Sequence, residues 1–167
     1  RLQHLAGRYL LKFLFPDFPV LLIQIADTRK PFLQDEAYHF SISHCGDYAA
    51  AIVSKNCRVG LDIETPTEKV LKILHKFLHP EEKNLLAQCN PDEDEQLHIR
   101  LCTLLWSAKE SMFKWWGAGE IEFSEMLRIY SLRIETEGAM EANFTKEQWN
   151  VLFPVQYKIF PQLVIQF

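Results

Sequence analysis

The chain has no pair of cysteines at CxxC spacing; Cys45, Cys57, Cys89 and Cys102 are scattered. That excludes a zinc knuckle built on paired thiolates and a dense disulfide framework, and it fits a reducing, cytoplasmic setting. No apolar run reaches the ~18 residues of a membrane span. The longest, Val20 to Ile25, is interrupted by Gln24 and reads as a strand. Positive charge is not in excess either: 18 Lys and Arg stand against 22 Asp and Glu, a net charge of −4. Nonspecific nucleic-acid binding is thereby disfavoured, and any anionic ligand must be met by a local cluster of cations. Internal repeats and low-complexity segments are absent. Residue 1 is Arg rather than Met and a helical pattern is already under way there. The natural N-terminus is therefore expected to be missing, and a signal peptide is not observable.

What is present is an ordinary globular composition, 48% hydrophobic and 24% charged over 167 residues. Leu2, Leu5, Ala6, Tyr9, Leu10 and Phe13 recur at helical spacing, and Pro16 and Pro19 end that helix. A strand is expected at 20–26, then a turn from Asp27 to Pro31. Phe40 to Ser43 alternates like a strand, His44 to Asp47 reads as a loop, and strands follow at Tyr48 to Val53 and Val59 to Ile63. Helices are expected from Thr67 to Leu78, from Pro80 onward, and from Gln96 to Trp116, where Gly117-Ala-Gly119 stops the last. The acidic run Asp92 to Glu95 reads as a solvated loop. The remainder is β-like. This order predicts an α+β fold with helices packed on largely antiparallel sheet, in an N-terminal half, 1–58, and a C-terminal half, 59–167.

The sharpest local feature is Val59-Gly-Leu-Asp-Ile-Glu64. Strand side chains alternate, so Asp62 and Glu64 share a face with Gly60. Two partly buried carboxylates repel each other, and a hard divalent cation on oxygen ligands, Mg²⁺ or Mn²⁺, relieves that cost. Gly60 leaves room for a ligand to approach. A solvated strand end accounts for these residues equally well. On the long helix, Glu110 and Lys114 lie opposite the apolar face made by Leu101, Leu104, Leu105, Ala108, Met112 and Trp115, with Lys109 on the flank. A surface ion pair explains Glu110 and Lys114, but not Trp106 on the same side, which implies that this face is covered. Ser43 and His44 cannot form a nucleophile–base pair, because neighbouring strand residues point apart. A hydroxyl and an imidazole there do suit a phosphate, with Arg29 and Lys30 adding charge. His75 and His79 have zinc-compatible spacing but no intervening glutamate, and Gly117-Ala-Gly119 is too short for a dinucleotide fingerprint.

Together, Arg29-Lys30-Pro31, Phe40-Ser-Ile-Ser-His-Cys-Gly46, Val59-Gly-Leu-Asp-Ile-Glu64 and Trp106-Ser-Ala-Lys-Glu110 to Lys114 resemble the motifs of the phosphopantetheinyl transferase superfamily, in its monomeric surfactin-synthetase-activating type. The resemblance implies two similar halves related by a pseudo-twofold, with the site in the cleft between them. It implies transfer of the phosphopantetheine arm of coenzyme A to a serine of an acyl or peptidyl carrier protein. Asp62, Glu64 and Glu110 would hold Mg²⁺ on the pyrophosphate, which Lys109 and Lys114 would contact. Ser43, His44, Lys30 and Arg29 would hold the 3′-phosphate. Glu110, then Glu82, is the expected base, with Lys114 beside it. Relatives usually carry Gly where this chain has Arg29, and the further basic residue expected upstream is Arg1 or Arg8. A magnesium-dependent nucleotide phosphohydrolase and a degenerate carrier-protein or acyl-CoA-binding module are the alternatives.

Overall fold

The computed structural model describes residues 2–167. Helix α1, Leu2–Leu14, packs on a hairpin of β3, His39–Cys45, and β4, Tyr48–Ser54. Two short strands, β1 at Gln24–Ile25 and β2 at Pro31–Phe32, form a separate ribbon. After β5, Asp62–Glu64, a 3₁₀ turn at Glu68–Ile73 leads into α2, Leu74–Phe77, and α3, Pro80–Cys89. The central α4, Glu95–Trp116, is followed by α5, Phe123–Met126, and then β6, Leu127–Ile129. The sheet is completed by β7, Glu137–Lys146, β8, Trp149–Ile159, and β9, Val164–Gln166. Its strand order is β5-β9-β8-β7-β6, and every pairing is antiparallel. The fold is α+β, as the sequence predicts.

The large core joins Leu101, Leu105, Ala108 and Met112 of α4 to Phe144 and Val155 of the sheet, and a smaller one joins Leu11, Phe18, Leu33 and Phe40. The apolar face expected on α4 is the one that packs, because 3.6-residue periodicity aligns those positions over the sheet. Helix α1 behaves differently. Leu2, Leu5, Tyr9 and Phe13 point to solvent, while Gly7 and Leu11 face the hairpin. A Cβ at Gly7 would lie 2.4 Å from the Ile42 side chain, so close approach, not the larger stripe, selects the packed face.

Other expectations also shift. Val20–Leu22 is a 3₁₀ turn rather than strand, and β3 runs on through His44 and Cys45 to a tight Gly46-Asp47 turn. The left-handed Gly46 permits that turn. His79 caps α3, its Nδ1 accepting from the Glu81 amide, and Asp94 caps α4 by accepting from Leu97.

Gly60 has a different role from the one expected. A Cβ there would sit 1.9 Å from the Ser111 carbonyl oxygen and 2.7 Å from the Trp115 nitrogen. The glycine thus lets the chain entering β5 cross the backbone of α4, rather than leaving space for a ligand. Gly60→Ala should cost at least about 2 kcal/mol, read as a lower urea midpoint, because backbone atoms cannot yield as a side chain would. An unchanged midpoint would show that the crossing is looser than the structure has it.

Candidate active site

The strand β5 pairs with β9 along one edge only. On its other edge the amides of Leu61 and Ile63 are met by the Ser41 and Ser43 hydroxyls, at 3.1 and 3.3 Å. The alternating serines of β3 thus replace a ladder that would otherwise be missing, and they bring β3 against β5. Ser43 Oγ also donates to Asp62 Oδ1 at 2.9 Å. One helical turn apart on α4, Glu110 and Lys114 approach the same place, and Lys114 Nζ lies 2.6 Å from Asp62 Oδ1 and 2.9 Å from Ser43 Oγ.

These groups border a cavity of about 640 Å³. Its lining includes the carboxylates of Asp62, Glu64 and Glu110 together with His4 and Arg8 of α1, Arg29, His44 and Lys114. Trp106 lines it too, stacked on Phe123 with ring centroids 5.5 Å apart. That covering explains the aromatic on the otherwise polar side of α4. His44 meets the ring of His4 edge-on at 4.9 Å. Arg29 adopts φ 66°, the left-handed region that favours glycine, at the turn position where the resembling family usually has that residue.

Charge in the cavity is imperfectly balanced. Burial first, then the neighbouring Asp62, pushes the Glu110 carboxyl up to about 7; Lys114 partly opposes this and Glu64 adds to it. Burial and Asp62 likewise raise Glu64, whose Oε2 accepts from the Cys45 thiol at 3.4 Å. Among the described residues, no three of His, Cys, Asp or Glu converge as a ready-made metal cage. The donor set of Asp62, Glu64 and Glu110 is nonetheless oxygen-only and its carboxylates repel one another, which fits a hard divalent cation. Lys114 is the counter-charge in direct contact with Asp62 here.

Three expected site residues lie elsewhere. Lys30 Nζ donates to the carbonyls of Lys114 and Trp115 at 2.5 and 3.3 Å, capping the end of α4. Burial, then Arg58, lowers its pKa to about 8. Gly117, left-handed at the helix end, leaves room for that lysine stem. Lys109 and Glu82 form an ion pair at 2.7 Å with both side chains wholly buried. Lys109 also donates to the carbonyls of Phe77 and Phe123, while Glu82 accepts from the amides of His79 and Ile129. Every polar atom of the pair is spent on joining α2, α3, α4, α5 and β6, and neither residue borders the cavity. Arg1 lies outside the described residues. Sequence reasoning missed His4 and Ser107. Ser107 Oγ donates to Asp62 Oδ2 at 2.7 Å, and its place beside Trp106 on α4 was the available signal.

A family model for the 4′-phosphopantetheinyl transferase superfamily matches residues 58–163, the segment that contains β5 and α4. The chain is 31% identical to enterobactin synthase component D of Escherichia coli (strain K12) over 167 residues, covering 98% of this chain and 74% of that protein. It is 32% identical to the 4′-phosphopantetheinyl transferase of Bacillus subtilis over 100 residues, covering 60% of this chain and 41% of that one. Among the described residues, no helix is long and apolar enough to cross a membrane.

Proposed function

The chain belongs to the 4′-phosphopantetheinyl transferase superfamily, and from that premise we propose that it moves the phosphopantetheine arm of coenzyme A onto a serine of an acyl or peptidyl carrier protein. The observation that carries this reading is the meeting of Asp62, Glu64, Glu110, Lys114, Ser43 and His44 on one cavity, from separate segments of the chain. Coenzyme A carries its phosphate monoester and its diphosphate on one ribose, so both can meet the Arg8, Arg29 and Lys114 cations of this lining, while a divalent cation on the carboxylates would offset the remaining charge.

In this reading Arg29, His44, Arg8 and His4 bind the 3′-phosphate and orient the nucleotide. Lys114 contacts the diphosphate. Asp62, Glu64 and Glu110 would hold Mg²⁺, with Mn²⁺ as an alternative, which would offset charge that develops on the diphosphate. Glu110, whose carboxyl faces the same cavity, accepts the proton of the carrier serine. The serine oxygen then bonds to the β-phosphorus, the bond from that phosphorus to the bridging oxygen breaks, and 3′,5′-ADP departs. Trp106 covers the site on the side of Phe123 and limits access of water.

The test is mass spectrometry of apo carrier proteins incubated with the enzyme, coenzyme A and Mg²⁺, with and without chelator. A phosphopantetheine adduct that disappears with chelator is the expected outcome. Release of 3′,5′-ADP without any carrier would assign hydrolysis instead, and no adduct on any of several carriers would overturn the transfer.

A further inference from the structure

Asp62 is held from two sides by partners of different kinds. Its Oδ2 accepts from Ser107 Oγ at 2.7 Å, a hydroxyl wholly buried on α4. Its Oδ1 accepts from Lys114 Nζ at 2.6 Å and from Ser43 at 2.9 Å, on the side that opens to the cavity. The other buried hydroxyls of α4 supply an internal comparison. Thr103 Oγ1 donates to Ile99 O and Ser111 Oγ to Ala108 O, both within their own helix, which is the usual fate of such groups. Ser107 alone among these three reaches across to another element. Lys114 differs again: its side chain is 27% exposed and its head group borders the open cavity, so it can leave without unpacking the core.

We propose that Asp62 has one fixed and one exchangeable oxygen: Ser107 is a positioning residue that pins Oδ2, while the Lys114 ammonium keeps the place of a cation on Oδ1. The inference rests on the magnesium reading given above and concerns only how this chain prepares for the ion. An incoming diphosphate carries negative charge into the cavity and competes with Asp62 for Lys114. Once the ammonium turns to the diphosphate, Oδ1 keeps only the Ser43 hydroxyl and has a lone pair open to a cation, still aimed at the cavity because Ser107 holds the other oxygen. Divalent cation and anionic ligand therefore bind cooperatively, and the free enzyme resists the cation. Lys114 thus contributes before any chemistry occurs.

Mn²⁺ titration followed by electron paramagnetic resonance, with and without coenzyme A, separates these steps. Wild-type protein should bind Mn²⁺ at least tenfold more tightly with coenzyme A present. Ser107→Ala should weaken that binding about tenfold or more, as loss of a residue that orients a metal ligand generally does. Ser107→Thr, which restores the hydroxyl, should return to within about threefold of wild type, and Ser111→Ala should not differ from it. Lys114→Met should tighten Mn²⁺ binding in the absence of coenzyme A by about tenfold, since the competing cation is gone. Normal Mn²⁺ affinity in Ser107→Ala, or weaker binding in Lys114→Met without coenzyme A, would overturn the inference while leaving the metal reading intact. Failure of the wild type to bind Mn²⁺ even with coenzyme A would overturn both. Circular dichroism of each variant shows whether a lost affinity comes from a lost fold, and the threonine variant decides the point if alanine unfolds.

Discussion

Glu110→Gln should lower phosphopantetheinyl transfer roughly a thousandfold while making the ligand-free protein more stable above neutral pH. The two effects have one cause. Burial and the nearby Asp62 raise the Glu110 carboxyl from 4.5 to about 7. Between those values the folded chain keeps a proton that the unfolded chain has released. Folding there takes up a proton, so stability falls as pH rises from about 4.5 through about 7, and the loss is complete above that. A shift of this size corresponds to at most about 3 kcal/mol. Gln carries no charge and escapes the penalty. At pH 8 the variant should therefore melt roughly 5–10 °C higher than wild type, and near pH 4 the two should melt together.

Activity should move the other way. The amide can neither accept the serine proton nor supply a charged oxygen to a cation, so both roles proposed for Glu110 vanish at once. Coenzyme A affinity should fall much less, because Arg8, Arg29 and Lys114 still line the cavity. Turnover by Glu110→Gln within tenfold of wild type would remove the residue from both roles. A higher melting point at pH 4 as well as at pH 8 would show that packing, not ionisation, is responsible.

How far the sequence reveals this site depends on what each residue does locally. Asp62, Glu64, Glu110 and Lys114 were legible because a period of 2 on a strand and of 3.6 on a helix puts them on definite faces. Ser43 was legible as a site residue, but its bond to the Ile63 amide was not, since it depends on β5 lacking a strand on that edge. Glu82 and Lys109 were misplaced for a related reason. Glu82 also closes the first turn of α3, its Oε2 accepting from the His79 amide, a role shared by many surface helices. Only the crossing of α4 behind it makes the pair buried. On α1 the apolar repeat does not mark the packed face: Leu2, Leu5, Tyr9 and Phe13 are exposed, and Gly7 sets how near the helix comes to Ile42. In each case the missing information is a contact between distant segments, which periodicity does not encode.

Lys109→Met should be among the most destabilising single changes in the protein, about 3–5 kcal/mol, because it strands the wholly buried Glu82 carboxylate without its counter-charge. The replacement has similar length and leaves little cavity, so the cost is electrostatic rather than one of packing. Adding Glu82→Gln should recover most of it. The amide oxygen can still accept from the Ile129 amide, which Glu82 Oε1 meets at 2.9 Å, and no charge is then buried. Urea denaturation of the two single variants and the double variant gives the coupling, and the sign to expect is a double variant more stable than Lys109→Met alone. The same proteins decide between Glu82 and Glu110 as base. If the pair acts only by tying α3 to α4, the folded double variant should transfer phosphopantetheine within about tenfold of wild type, whereas loss of a true base costs roughly a hundredfold or more. A stable but inactive double variant would return Glu82 to the chemistry and require the Lys109 ammonium to turn outward when substrate binds. The three bonds that now hold that ammonium, to Glu82 and to the carbonyls of Phe77 and Phe123, are the reason to expect the first result.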